Sequence, residues 1–199
     1  MAQTCLSYLN SQQVKTLSTC PSPDLQGTPF LEYSSVYWGV YVKRDLSECA
    51  KLLALKLFND YNNHISTRTL LKTQKGYSYP INFDKSYPFS GLHCASLFGI
   101  VELVIELIEL EGCDINQRDC VDNTSLACAA RNGHERVVEM LLKQGNVGPT
   151  YRIRTAKHHS MLPFGMGTYP RPAEIKRWLD KKSEEEVTMW EGITGEEPS

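Results

Sequence analysis

The sequence predicts an all-α solenoid of two repeated helical units, capped by N-terminal helices and trailed by a partly disordered tail. Three observations predict it. Between Phe89 and Gly145 the chain repeats itself: Leu92, Ala95 and Gly99 recur as Leu126, Ala129 and Gly133, each pair 34 positions apart. A fixed period in this range marks units that cannot bury their apolar faces alone and must stack. Within each unit, apolar residues fall on one side of a helix. Breaks then set three regions: residues 1–83, a helical cap; 84–148, the repeats; and 149–199, a linker and tail with one possible helix.

In the first region, Pro23 to Phe30 interrupts the chain. Thr28-Pro29 starts a helix, with Thr as cap and Pro in the first turn. The stretch from Phe30 to Tyr41 then carries aromatics at helical spacing. A second helix is expected from Leu46 to Phe58, and a shorter one from Ser66 to Lys72. The Trp38 and Tyr37 region is read as core packing rather than as a ligand slot.

Each repeated unit follows from local rules. Ser90 and Thr124 are N-caps. The helix after each is rich in small residues (Cys94, Ala95, Ser96; Cys128, Ala129, Ala130), as close approach of neighbouring helices demands. Gly99 and Gly133 end these helices, where the backbone must enter a conformation that a Cβ penalises. The second helix of the first unit has Leu103, Val104, Leu107 and Ile108 on one side, with Glu102, Glu106 and Glu109 on the other. In the second unit Val137, Val138, Leu141 and Leu142 oppose Glu135, Arg136, Glu139 and Lys143, the one-sided pattern of an amphipathic helix. Gly112 and Gly145 close the two units. The polar run Asn116–Asn123 is a projecting hairpin.

These residues resemble the ankyrin repeat. The matching positions are Asp119, Thr124, Leu126, Ala129, Ala130, Gly133, His134, Val137, Val138, Leu141, Leu142 and Gly145 in the second unit. In the first they are Leu92, His93, Ala95, Gly99, Val104, Leu107, Ile108, Gly112 and Asn116. The departures are Gly91 and Ser125 where the family has Pro, Asp122 in place of the turn Gly, and Ala127 in place of the His that ties neighbouring loops. The resemblance implies a protein-binding scaffold whose hairpin tips and first helices form a concave face. Here that face would carry Tyr87, Phe89, Leu97 and Phe98 from the first unit, and Cys120, Val121, Asn123, Arg131 and Asn132 from the second. Leu97, Phe98 and Val121 are apolar where the fold does not require it, and Arg and aromatics are favoured anchors. The opposing reading has Leu97 and Phe98 packed beneath the Tyr87 loop.

Residues 2–72 also resemble the stretch that precedes the ankyrin array in fungal NACHT–ankyrin proteins, relatives of NOD-like receptors. The elements are Cys5-Leu6-Ser7-Tyr8-Leu9 and the Phe30–Gly39 helix with Tyr33 and Trp38-Gly39. No Gly-Xaa4-Gly-Lys-Ser/Thr loop occurs in the sequence, so phosphates have no P-loop cradle and ATP or GTP hydrolysis is not expected.

Other chemistries find little support. A net charge of −2 gives no electrostatic footprint for nucleic acid. The longest apolar candidate, Leu97–Leu110, is broken by three glutamates, so no membrane span is expected, and the first residues lack a signal-peptide pattern. Seven cysteines without secreted-scaffold spacing suggest free thiols and a cytoplasmic setting. His93, Cys94, Cys113, Cys120, Cys128 and His134 lack metal-ligand spacing, and the repeat accounts for them. Cys94 next to His93 is no nucleophile–base pair, because helix neighbours point about 100° apart. The basic run Tyr151–His159 is a solvated linker, and Met161–Pro172 is rich in Gly and Pro. Pro172–Lys182 is the possible helix, with Ile175, Trp178 and Leu179 on one side.

The expected function is therefore a non-enzymatic protein–protein interaction module. It has no catalytic, cofactor-binding or metal-binding residues, no small-molecule substrate, and a protein partner of unknown identity. The alternative is a vestigial or truncated fragment of an NLR-like fungal receptor with no independent activity. Two units are too few to stand alone. The N-terminal helices around Trp38 and Leu53 are thus expected to dock on the first unit, while residues 150–199 add little to the core.

Overall fold

The computed structural model describes residues 1–20, 28–74, 89–110, 112–120 and 123–144. Among them the chain is all-helical. The N-terminal part comprises α1 (Ala2–Leu9), α2 (Gln12–Thr19), α3 (Pro29–Arg44), α4 (Glu48–Phe58), a 3-10 turn (Tyr61–Asn63) and α5 (Ile65–Thr73). Two helix pairs follow, α6 (Gly91–Phe98) with α7 (Val101–Glu109), and α8 (Ser125–Arg131) with α9 (Glu135–Lys143).

The two pairs are built alike because their local chemistry is alike. Ser90 Oγ accepts from the His93 amide at 3.5 Å, and Thr124 Oγ1 from the Ala127 amide at 3.3 Å. These bonds occupy amide donors that a first helical turn leaves open. The chain leaves α6 and α8 through Gly99 at φ 72° and Gly133 at φ 71°, left-handed backbone that any side chain would strain. The outer helices bury Leu103, Val104 and Leu107 in α7, and Val137, Val138 and Leu141 in α9. Each such side chain contributes about 1.5–3 kcal/mol on burial, so the stripe is what holds each outer helix down. Inner helix α6 packs along α8, each inner helix packs on its own outer helix, and α7 touches α9. That is a two-unit stack.

The N-terminal helices complete its core. Helix α3 packs against α1, α5 and α6, and α4 against α1 and α6. The junction is aromatic. Trp38, fully buried, meets Phe58 of α4 and Phe98 of α6 edge-on, with ring centroids 5.7 and 5.3 Å apart. Phe58 leads on to Tyr61 at 5.2 Å, and Tyr61 to Phe89 at 6.2 Å. Tyr61 also receives the Cys94 thiol at 3.1 Å. Two glycines let the bodies close: a methyl built on Gly39 would fall within 3.0 Å of the Phe98 ring, and one on Gly91 within 3.0 Å of Phe58. Lys51 of α4 pairs with Glu106 of α7 at the surface. Leu53 is half-buried against the core, and its carbonyl accepts from Asn10 Nδ2 at 3.0 Å. The docking on the first unit expected around Trp38 is present, whereas Leu53 packs back toward α1.

One local expectation needs correction. Pro29 does open α3, yet Thr28 makes no side-chain cap bond, because its backbone (φ −128°, ψ 55°) departs from the extended geometry that a cap needs. The expected linker, tail and C-terminal helix after residue 148 lie outside the described residues, as does Gly145.

Candidate functional site

The hairpin that precedes α8 is fixed from within and from the first unit. Asp119 is buried. Its carboxylate accepts from the Asn123 amide at 2.8 Å and from Asn123 Nδ2 at 3.3 Å, while its own amide donates to the Asn123 carbonyl at 2.8 Å. This brackets the turn from both sides. His93 ties the hairpin to α6: Nδ1 accepts from the Ser90 amide at 3.2 Å, and Nε2–H donates to the Gln117 carbonyl at 3.0 Å. That pattern needs the neutral Nε2–H tautomer, and burial lowers the imidazole pKa accordingly. In the second unit Ala127 stands at the corresponding position, so α8 has no side chain to extend the same tie.

A parallel clamp joins the turns after the inner helices. His134 Nε2–H donates to the Leu97 carbonyl at 2.9 Å, and Nδ1 lies 3.3 Å from Lys43 Nζ at the end of α3. Burial, reinforced by the Lys43 charge, pushes its pKa down to about 4. Gly99 is required here twice over, by its positive φ and because a methyl on it would collide with the His134 ring.

Within this frame the sequence-predicted contact residues divide. Phe89, Leu97 and Phe98 are 1, 6 and 4% exposed, so they do not line an open face. Phe98 is wedged between Trp38 and Gly39, and Phe89 stacks beside Tyr61 and His93. The apolar character of Phe98 and Phe89 is explained by the docked N-terminal helices. The opposing reading, packing beneath the Tyr87 loop, has Phe98 buried but names a different cover from Trp38. Cys120, Asn123, Arg131 and Asn132 are half-buried, the first two in the hairpin before α8 and the last two at its far end. Asn132 is held by a bond from its Nδ2 to the Cys128 carbonyl at 2.8 Å. Tyr87 and Val121 lie outside the described residues.

The Trp38 and Tyr37 region, expected to be core packing, divides: Trp38 is buried but Tyr37 is exposed. On α3 the aromatics split between two faces: Trp38 goes inward, while Phe30, Tyr33, Tyr37 and Tyr41 form an outer ladder, joined by Tyr8 of α1. Ring centroids in contact along it are 5.0 to 6.4 Å apart, and Tyr37 is 47% exposed. The signal was available in the spacing 30, 33, 37, 41, one residue per helical turn and out of phase with 31, 38 and 42.

No acid, base and nucleophile are brought together among the described residues, and no group of three or more His, Cys, Asp or Glu there is placed to hold a metal. Cys94 is fully buried, and burial drives its thiol pKa far up, away from thiolate reactivity. His93 is committed to Ser90 and Gln117, not to Cys94. A cleft of about 250 Å³ lies between the start of α3 and the end of α5, lined by Thr28, Glu32, Thr69 and Lys72 among others, below the roughly 300 Å³ of ordinary ligand pockets. Among the described residues no helix is long and apolar enough to cross a membrane.

Comparison with known proteins agrees with this architecture. A family model described as ankyrin repeats (3 copies) matches residues 40–153, more than half of the chain. The match begins inside α3, so it takes in α4 and α5 as well as the two regular units. No curated protein and no solved structure matches the chain.

Proposed function

Since this chain belongs to the ankyrin-repeat family, whose repeats are protein–protein interaction modules, we propose that it is itself a non-enzymatic module that binds a protein partner. We place the contact on the hairpin and the end of α8, around Cys120, Asn123, Arg131 and Asn132. The observation that carries this reading is the contrast within the second unit. Positions 124–130 are buried, whereas Asn123 before them and Asn132 after them are polar, half-exposed and braced by Asp119 and Cys128. A braced polar patch with an Arg loses little entropy on contact and suits an acidic or carbonyl-rich partner. The test is affinity capture with the full-length chain, compared with Arg131→Glu and Asn123→Arg. Partners retained by the wild type and lost by both variants, at unchanged melting temperature, support the assignment. Identical capture overturns it.

The finer reading is kinship with the region between the NTPase and the ankyrin array of fungal NACHT–ankyrin receptors, within a cytoplasmic setting. It is supported by where the resembling segments fall. Cys5–Leu9 lies on α1 and Phe30–Gly39 on α3, and these two helices pack on each other, with α3 packing in turn on α6 of the repeats. The companion possibility, a receptor fragment without independent activity, turns on the same point. Transcript sequencing decides: an in-frame P-loop module upstream supports receptor kinship, and a mature transcript lacking one removes it.

A further inference from the structure

The C-terminal ends of α3, α6 and α8 meet at His134. Its ring donates from Nε2–H to the Leu97 carbonyl and accepts at Nδ1 from Lys43 Nζ, 3.3 Å away. An ammonium carries three N–H donors, so this bond leaves two of them unused. Among the described residues Lys43 has no other hydrogen bond and no ion pair. Partial burial lowers its pKa. The nearest acids in sequence, Asp45 and Glu135, are exposed and bias neither Lys43 nor His134. Two more cations flank the pair. Arg44 is exposed and follows Lys43, and Arg131 is half-buried and lies three residues before His134. Neither forms an ion pair among the described residues. A chain with a net charge of −2 therefore gathers three cations at one edge without a counter-charge.

We propose that this edge seats an acidic peptide segment of the partner: Lys43 Nζ, held by His134, donates to one carboxylate, and Arg44 and Arg131 take neighbouring acids. The seat presupposes that the chain binds a protein, and it names that partner's chemistry. A carboxylate accepts both unused ammonium donors in charge-assisted bonds, about twice as strong as neutral ones. It also supplies the counter-charge that a partly desolvated cation lacks. Because His134 already restrains Lys43, less side-chain entropy remains to be lost on contact. Three clustered cations fit a short acidic segment, whereas a nucleic-acid strand calls for a longer basic track. The seat exists only in the assembled fold, since Lys43 comes from the N-terminal bundle and His134 and Arg131 from the second unit.

The test uses the full-length chain and a capped hexa-glutamate peptide at low salt, where screening is weak, with hexa-glutamine as the control. Binding is read from the His134 ring resonances and from the anisotropy of labelled peptide. Hexa-glutamate should move the His134 resonances and hexa-glutamine should not. Lys43→Met, which keeps the methylene stem and relieves the charge beside His134, should weaken binding at least about tenfold without lowering the melting temperature. Lys56→Met removes the same charge from an exposed position on α4 and should change affinity less than about twofold. Equal weakening by both variants overturns the seat in favour of diffuse attraction. No binding of hexa-glutamate, or binding that leaves the His134 resonances unmoved, also overturns it; loss of the cellular partner on Arg131→Glu would still support the broader protein-binding reading. An oligonucleotide of equal charge that binds the same residues more tightly overturns the seat in favour of nucleic acid. Should Lys43→Met fail to fold, the wild-type His134 resonances decide.

Discussion

Replacing Gly39 with alanine probes whether the N-terminal helices and the repeats form one core. The change has two opposed effects. In a helix interior alanine is more favourable than glycine by about 0.8–1.0 kcal/mol, so an exposed Gly39 would be improved by it. Here the new methyl would lie within 3.0 Å of three carbons of the Phe98 ring, where carbon atoms need about 3.5–4.0 Å. The ring cannot retreat freely, being 4% exposed with Trp38 against it at 5.3 Å. Overpacking of this kind costs about 1–3 kcal/mol, and the confinement places it at the upper end. The net is a destabilisation of about 2 kcal/mol, or a melting temperature lowered by roughly 4–8 °C for a chain of this size. The assay is thermal and urea unfolding of the four proteins in the Gly39→Ala, Phe98→Leu cycle. When Phe98→Leu is already present, the alanine should become neutral or mildly stabilising, giving a coupling of about 2–3 kcal/mol. A Gly39→Ala protein that melts at or above the wild type, or the same cost in both backgrounds, would refute the packing of α3 on α6.

Ser90→Ala should lower stability by about 1 kcal/mol in urea unfolding, and by more than Thr124→Ala, because Ser90 Oγ also lies 2.7 Å from His93 Nδ1 and so helps seat the side chain that carries the hairpin. Stability should also fall in acid. Burial and Lys43 hold His134 at about 4 when folded against an ordinary 6.5, so the unfolded chain takes up the proton first. The His134 contribution is complete above about pH 6.5 and lost progressively toward pH 4, on the order of 2 kcal/mol after discounting its partial exposure. His134→Gln should flatten that part of a pH-dependent melting series, leaving the part due to His93 and His64, whose pKa values are lowered by burial as well. With a thiol-reactive dye, exposed Cys49 should label in the native protein while Cys94 stays unmodified until unfolding; early labelling at Cys94, read by peptide mapping, would contradict its burial.

How much of this was legible in the sequence depended on the range of the interaction concerned. The caps Ser90 and Thr124, the left-handed Gly99 and the stripes of α7 and α9 are set within one or two helical turns, and periodicity exposes such features directly. Thr28 failed as a cap although its residue type was right, because capping depends on backbone angles and not on the hydroxyl alone. The surface residues failed for a longer-range reason. Leu97 and Phe98 sit where a repeat considered alone has an open face, and nothing local reveals that Trp38 and Gly39, some sixty positions earlier, close over Phe98. The apolar character of Phe98 was thus a true signal attributed to the wrong neighbour: it reported a covered surface, whose cover is the chain's own α3. The same reasoning bears on α8. Its small, buried residues read in sequence as the requirement for one neighbouring helix, α6, yet burial on every side requires more than one. In a stack this short each inner helix depends on cover from outside its own unit, and α6 obtains it from an N-terminal bundle with no repeat period at all.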